Sequence, residues 1–212
     1  MTVGEDPLGQ RRFRPGGSAL TDRAMACCRF PAGARLLDVG CGTGATVRHL
    51  RERHGMEAFG LDAEPGCAGA QWLLRAKAER LPLAAASMDG VLLECSLSVV
   101  TDPGLALEEC HRVLKPGGRL VLSDLYARGV PARLRGCLGR VEAREALEAQ
   151  IEQHGFKVAL FEDHSEALRA LWGQLVFDRG LQAFCAELGA APGALRAVRC
   201  GYCLILARRE GP

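Results

Sequence analysis

The sequence predicts an α/β fold, a doubly wound and mostly parallel seven-stranded sheet with an antiparallel edge strand. Three observations predict it. Apolar runs of strand length alternate with segments of helical period along most of the 212 residues. Such alternation implies parallel strands covered by helices on both faces. A glycine turn, "DVGCGTG", joins the first apolar run to the first helical segment after it, where a doubly wound sheet places a ligand. The last two strand-like runs are able to pair as an antiparallel edge.

The elements follow in order. Residues 1–17 are rich in Gly, Pro and Arg and are expected to form a flexible arm or lid. Residues 18–212 are expected to form one domain, with 18–126 its cofactor-binding half and 127–212 its acceptor-side helices and edge strands. "SALTDRAMACCRF" predicts a short helix with Ser18 or Thr21 as N-cap. "RLLDV" is a buried strand, and "GATVRHLRERHG" a helix ending at Gly55. "EAFGLD" is the next strand, and "PGCAGAQ" leaves room for a short helix. "WLLRAKA" and "DGVLLEC" are the third and fourth strands, the latter starting at Asp89-Gly90. "PGLALEECHRVLKPGG" is a helix stopped by Pro116 and Gly117, and "RLVLSDL" is the fifth strand. Residues 139–154 show helical periodicity and end at Gly155. "FKVALFED" is a strand, "SEALRALWGQLVF" and "GLQAFCAEL" are helices, and "GYCLILA" is the closing strand.

Composition narrows the function. A formal net charge of +2 points to neither a nucleic-acid surface nor an acidic-ligand sink. The arginines at 11–14 and Arg128, Arg133, Arg135 and Arg140 read as solvated surface. No signal-peptide pattern is recognised, and no run approaches the roughly 18 apolar residues of a membrane span. The expectation is a cytoplasmic protein without membrane insertion. Ten cysteines in a reducing compartment read as thiols. "CGYC" at 200–203 lies on a predicted strand, where residues three apart point to opposite faces. Its cysteines therefore read as buried apolar groups. No second C-x-x-C and no histidine pair is read as its complement, so no metal is expected.

The glycine loop has the spacing G-x-G-x-G at Gly40, Gly42 and Gly44, with Asp38 inside the preceding strand. Dinucleotide folds show G-x-G-x-x-G instead. A carboxylate before the loop suits a cationic group better than a pyrophosphate. Asp62, about 20 residues beyond, stands where an acid accepts hydrogen bonds from a ribose diol. S-adenosylmethionine fits a ligand with a ribose, a positive group and little phosphate.

"LLDVGCGTG", "GLDAEP", "AERLPL", "SMDGVLL" and "HRVLKPGGRLVLSDLYA" occur in the order and spacing of another group. The chain resembles the class I S-adenosylmethionine-dependent methyltransferases with a Rossmann-like fold, in particular the small-molecule, type 11 subgroup that includes quinone and arsenite methyltransferases. The resemblance covers residues 20–126 well. It implies that Asp38 helps hold the methionine ammonium, and that Gly40, Cys41, Gly42 and Gly44 bring backbone to the amino acid and ribose. Asp62 would take the ribose hydroxyls, Ala63 would lie by the adenine, and Ala78 and Glu79 would meet the adenine edge. Glu94 and Cys95 would wall the methionine and the acceptor. The pattern commonly has an acid before "AERLP", where this chain has Lys77. A lysine is a donor only, so Glu79 or backbone must serve the adenine, and the affinity is expected to be weaker.

The expected acceptor is a small molecule. "ECSL" lacks the N/D-P-P-Y/F of base-flipping methyltransferases, and no basic aromatic platform suggests nucleic acid. Cys95 and Asp124 are the candidate catalytic, acceptor-contacting residues. Their structural reading is loop packing for Cys95 and a turn cap for Asp124. His49 and His54 are placed on the first helix after the glycines, away from the crevice, and His164 is the one histidine considered for the acceptor side. Methylation of a protein or RNA, and cofactor binding without turnover, are the competing readings.

Overall fold

The computed structural model describes residues 14–64, 71–135 and 138–211. Most of the expected arm and the 65–70 part of the expected short helix lie outside them. The described chain runs α1 (Gly17–Cys28), β1 (Arg35–Val39), α2 (Ala45–His54), β2 (Glu57–Asp62), β3 (Leu73–Arg75), β4 (Met88–Glu94), α3 (Pro103–Val113) and β5 (Leu114–Ala127). It continues through β6 (Ala132–Arg133), β7 (Arg140–Val141), α4 (Arg144–Gln153), β8 (Phe156–Asp163), α5 (Ser165–Arg179), α6 (Leu181–Glu187), α7 (Pro192–Val198) and β9 (Cys200–Arg209). Among the described residues, no helix is long and apolar enough to cross a membrane.

Seven strands form one sheet in the order β3-β2-β1-β4-β5-β9-β8. The pairs from β3 to β5 are parallel. The last two strands pair antiparallel, as expected, and β9 also pairs antiparallel with β5. The antiparallel strand therefore lies one place in from the edge, which β8 occupies. The chain order reverses between β1 and β4, which opens a crevice at the carboxyl ends of those strands.

Period-2 alternation divides the sheet's side chains between two cores. Leu36, Leu92, Val121 and Leu204 join Leu20 and Met25 of α1, Val47 and Leu50 of α2 and Leu168 of α5 on one face. Leu37, Val91, Leu93, Leu120 and Leu122 meet Leu107 and Cys110 of α3 and Ile151 of α4 on the other. Cys200 packs against the first core and Cys203 lies within the second, on opposite faces of β9.

Four local expectations are corrected. Neither Ser18 nor Thr21 caps α1; Gly16 holds that position in left-handed conformation without a side-chain bond. The side chain of Thr21 faces inward instead and is wholly buried. β4 begins at Met88, so Asp89-Gly90 lies inside it. There the Asp89 carboxylate accepts from the Arg35 backbone N–H at 2.9 Å and from Lys115 at 2.6 Å. The segment 115–118 is a bulge inside β5, since pairing jumps from Met88↔Leu114 to Gly90↔Arg119. α4 starts at Arg144, after a small β6–β7 hairpin that the sequence reading lacked, as it lacked α7.

The two halves of the crevice touch through Gly60. A Cβ there would stand 2.7 Å from Cys41 Sγ and from a Leu73 methyl, and 2.8 Å from Val47. Gly60→Ala is expected to destabilise the chain by about 1–3 kcal/mol by overpacking, read as a lower urea midpoint at unchanged slope.

Candidate active site

The glycine loop is built by close approach. Gly40 and Gly44 have φ of 82° and 75°, a region that glycine enters at little cost. A Cβ on Gly40 would lie 2.5 Å from Ser96 Cβ, and one on Gly44 would lie 2.9 Å from Leu73. The N–H groups of Gly40 and Cys41 both donate to the Leu61 carbonyl, at 2.7 and 3.1 Å. The loop thus folds onto the end of β2. Gly42 N–H donates to Asp62 Oδ2 at 2.8 Å, and Glu64 N–H to Asp62 Oδ1 at 3.0 Å. Each Asp62 oxygen keeps further acceptor capacity.

Two acids lie beyond the loop. Asp38, near the end of β1, is buried and accepts no hydrogen bond from a described residue. Burial pushes its carboxyl well above the usual range, the charge of Glu94 adds to the effect, and Arg14 opposes it. Glu94, at the end of β4, is fully partnered instead. Its carboxylate meets Arg14 Nη2 at 2.5 Å, accepts from the Thr21 hydroxyl at 3.0 Å and from the Thr46 hydroxyl at 2.8 Å. Arg14 also donates to Thr46 at 2.7 Å and to Thr21. One acid is neutralised and the other is left facing open space.

That space is a cavity of about 1110 Å³, ample for a nucleoside with its side chain. Asp38, Gly40, Cys41, Gly42, Asp62, Ala63, Ala78, Glu79, Glu94 and Cys95 all line it. Most of the residues singled out from the sequence thus lie on its wall, beside others that were not, among them Thr43, Arg48, Leu61 and Ser96. Gly44 is the exception: it serves the turn and the start of α2, as the left-handed N-cap, and does not line the cavity. Lys77 does line it and is exposed. Glu79 lies at the rim, with Oε1 accepting from the N–H groups of Thr101 and Asp102 at 2.9 and 3.1 Å.

The acceptor side departs further. Asp124 does not line the cavity. It is buried beneath it, accepting from Ser98 N–H at 3.0 Å and Leu125 N–H at 2.8 Å. Burial raises its carboxyl to about 6, against those hydrogen bonds. Through the Ser98 N–H it grips the main chain of the loop after β4. Cys95 is on the wall, in left-handed conformation at φ 54°, with Sγ 2.9 Å from the Tyr202 hydroxyl. Burial pushes its thiol far up, so it stands there as a neutral thiol and not as a nucleophile.

Arg140 donates to the Leu97 and Val100 carbonyls at 3.4 and 2.5 Å, bracing the same loop from below, and none of the four arginines lines the cavity. His164 contacts Glu162 at 3.1 Å, away from the cavity. His49, expected to lie outside the crevice, lines its rim. Sequence reading missed Arg14, Thr21 and Thr46. The only available signal was the last arginine of the 11–14 cluster, just before a helix whose threonine falls on its apolar stripe.

A doubly wound sheet whose first glycine loop lies between two acids at its switch point defines a class of ligand-binding α/β fold. The family described as a methyltransferase domain matches residues 37–122. The O-methyltransferase cnsE of Penicillium expansum is 30% identical over 97% of this chain and 83% of its own. The O-methyltransferase resE of Aspergillus sclerotiorum is 28% identical over 78% of this chain and 70% of its own. The chain belongs to the methyltransferase family and is a methyltransferase enzyme. Phosphoethanolamine N-methyltransferase 2 of Haemonchus contortus, solved with S-adenosyl-L-methionine, shares the fold. It superposes at a TM-score of 0.73 with 15% identity, covering 98% of this chain and 56% of that one.

Arg14 is the only cation contacting Glu94 among the described residues. Arg14→Ala is expected to cost about 1.5–3 kcal/mol, the worth of a hydrogen bond to a charged group. Adding Glu94→Gln should recover part of that loss in thermal melts.

Proposed function

We propose that the chain transfers a methyl group from S-adenosylmethionine to a hydroxyl of a small molecule, releasing S-adenosylhomocysteine. The observation that carries this reading is Asp38, a buried carboxylate without a described hydrogen-bond donor, facing a cavity whose glycine loop leads to Asp62. A buried charge of that kind is costly unless a cation meets it, and an α-ammonium is such a cation. The cofactor supplies an already activated methyl on a sulfonium. The residues need to bind, align and keep water out.

In this reading Asp38 takes the ammonium and Asp62 the ribose diol. Gly40, Cys41 and Gly42 supply backbone beside them. Ala63, Ala78 and Glu79 border the adenine. Glu94, held by Arg14, Thr21 and Thr46, closes the methionine end, and Cys95 with the loop to Thr101 walls the acceptor. Residues 18–126 form the cofactor half of one domain, and 127–212 support the acceptor loop. The names of the O-methyltransferase relatives support an oxygen acceptor. A screen with methyl-labelled cofactor against phenols, alcohols and carboxylic acids tests it; transfer to none of them, or no cofactor binding, overturns it.

The elevated Asp38 carboxyl gives a proton linkage with a definite sign. The free protein holds that proton at pH values below the raised pKa, and an arriving ammonium favours the ionised form. Cofactor binding should then release protons, and affinity should climb with pH by up to about tenfold per unit in that window. Calorimetry in buffers of different ionisation enthalpy reads the proton count. Asp38→Asn should bind more weakly and without the slope. In the same assay Lys77→Asp should tighten cofactor binding about two- to tenfold, the worth of one net hydrogen bond.

A further inference from the structure

We propose that Asp22, His49 and His54 form a three-ligand site for a divalent metal ion of the zinc type, at the seam between α1 and α2 on the rim of the active-site cavity. The two histidines are five apart on one helix, and the carboxylate comes from the helix packed against it. Both Nε2 atoms nonetheless converge on the same oxygen, at 2.5 and 2.7 Å from Asp22 Oδ1. The three ligand atoms lie within 4.8 Å of one another. The rings meet edge-on at an interplanar angle of 67°, so they approach the shared point from different directions.

Zinc takes imidazole nitrogen at about 2.0–2.1 Å and carboxylate oxygen at about 2.0–2.2 Å. Ligand atoms around it are therefore about 3.3 Å apart. The two nitrogen–oxygen separations would widen by about 0.6–0.8 Å to admit it, and the Asp22 side chain is about half exposed (49%). Two imidazoles and one carboxylate suit zinc, nickel or copper over magnesium or calcium. With three protein ligands, the outer position is left to water.

The placement gives the ion a task. Thr21, next to Asp22, donates to Glu94, and His49 lines the cavity. A bound ion would fasten the helix carrying Thr21 to the helix that walls the cavity.

The test uses the full chain with zinc and cobalt ions. Equilibrium dialysis should give one tightly held zinc, and zinc should raise the melting temperature. Asp22→Ala and His54→Ala should each weaken zinc binding by at least about tenfold and abolish the thermal shift. Asp22→Asn, which keeps the shape and removes the charge, gives the same reading if either alanine variant fails to fold. Cobalt distinguishes this site from the ten cysteines, because nitrogen and oxygen ligands lack the intense thiolate charge-transfer absorption. Undiminished zinc binding in the variants, thiolate bands in the cobalt protein, or no zinc bound by the unaltered chain would overturn the proposal. None of these outcomes bears on S-adenosylmethionine binding, which the Asp38 variant reads separately.

Discussion

Two like charges at the end of a buried sheet are the constraint on which the site depends. β1 and β4 are neighbours, and each delivers an acid to the crevice, Asp38 and Glu94. Burial disfavours the ionised form of Asp38, and the charge of Glu94 adds to that penalty. The fold resolves this asymmetrically. Arg14 and two threonine hydroxyls satisfy Glu94, so that it is held as part of the frame. Asp38 receives nothing comparable from the described residues and stays receptive to a cation from outside. The same cluster ties the entrance of α1 to α2 and β4, so the geometry of the cavity and the electrostatics of its floor are one arrangement.

The sheet was legible because its signals are local. Apolar runs such as "RLLDV" and "GYCLILA" have strand length, and the glycines and prolines between elements mark where they end. The cavity wall was legible for a related reason, since a parallel sheet sends ligand-facing residues to strand ends that motifs already mark. Asp38, Asp62 and Glu94 are each at or one residue short of such an end. The misses involve contacts across long stretches of chain. Arg14 meets Glu94 at a separation of 80 residues, and nothing near either residue announces the other. Asp124 sits on β5 only two residues before Tyr126, and alternation along a strand decides which side it faces. It faces the underside of the loop after β4. The β6–β7 hairpin is two residues per strand, too short for a period to register.

The cysteines follow the same logic of environment over motif. "CGYC" has the spacing of a redox pair, yet a strand turns its two thiols to opposite cores. Cys95 occupies a strained position on the cavity wall, yet its partner is a tyrosine hydroxyl rather than a base, and burial keeps the proton on sulfur. Meanwhile the histidines of α2 gain their interest from Asp22, a residue of another helix.

The loop after β4 is held from beneath. Asp124 takes the Ser98 N–H, Arg140 reaches the carbonyls of Leu97 and Val100, and Glu79 takes the N–H groups of Thr101 and Asp102. All five tethers grip main-chain atoms. The side chains of Val99 and Val100, which border the cavity, contribute none of them. Val99, which is exposed, is therefore open to exchange while the peptide path stays fixed, whereas Val100 also packs against the core on that face. If this loop walls the acceptor as proposed, a new preference would need no change in the architecture that carries it.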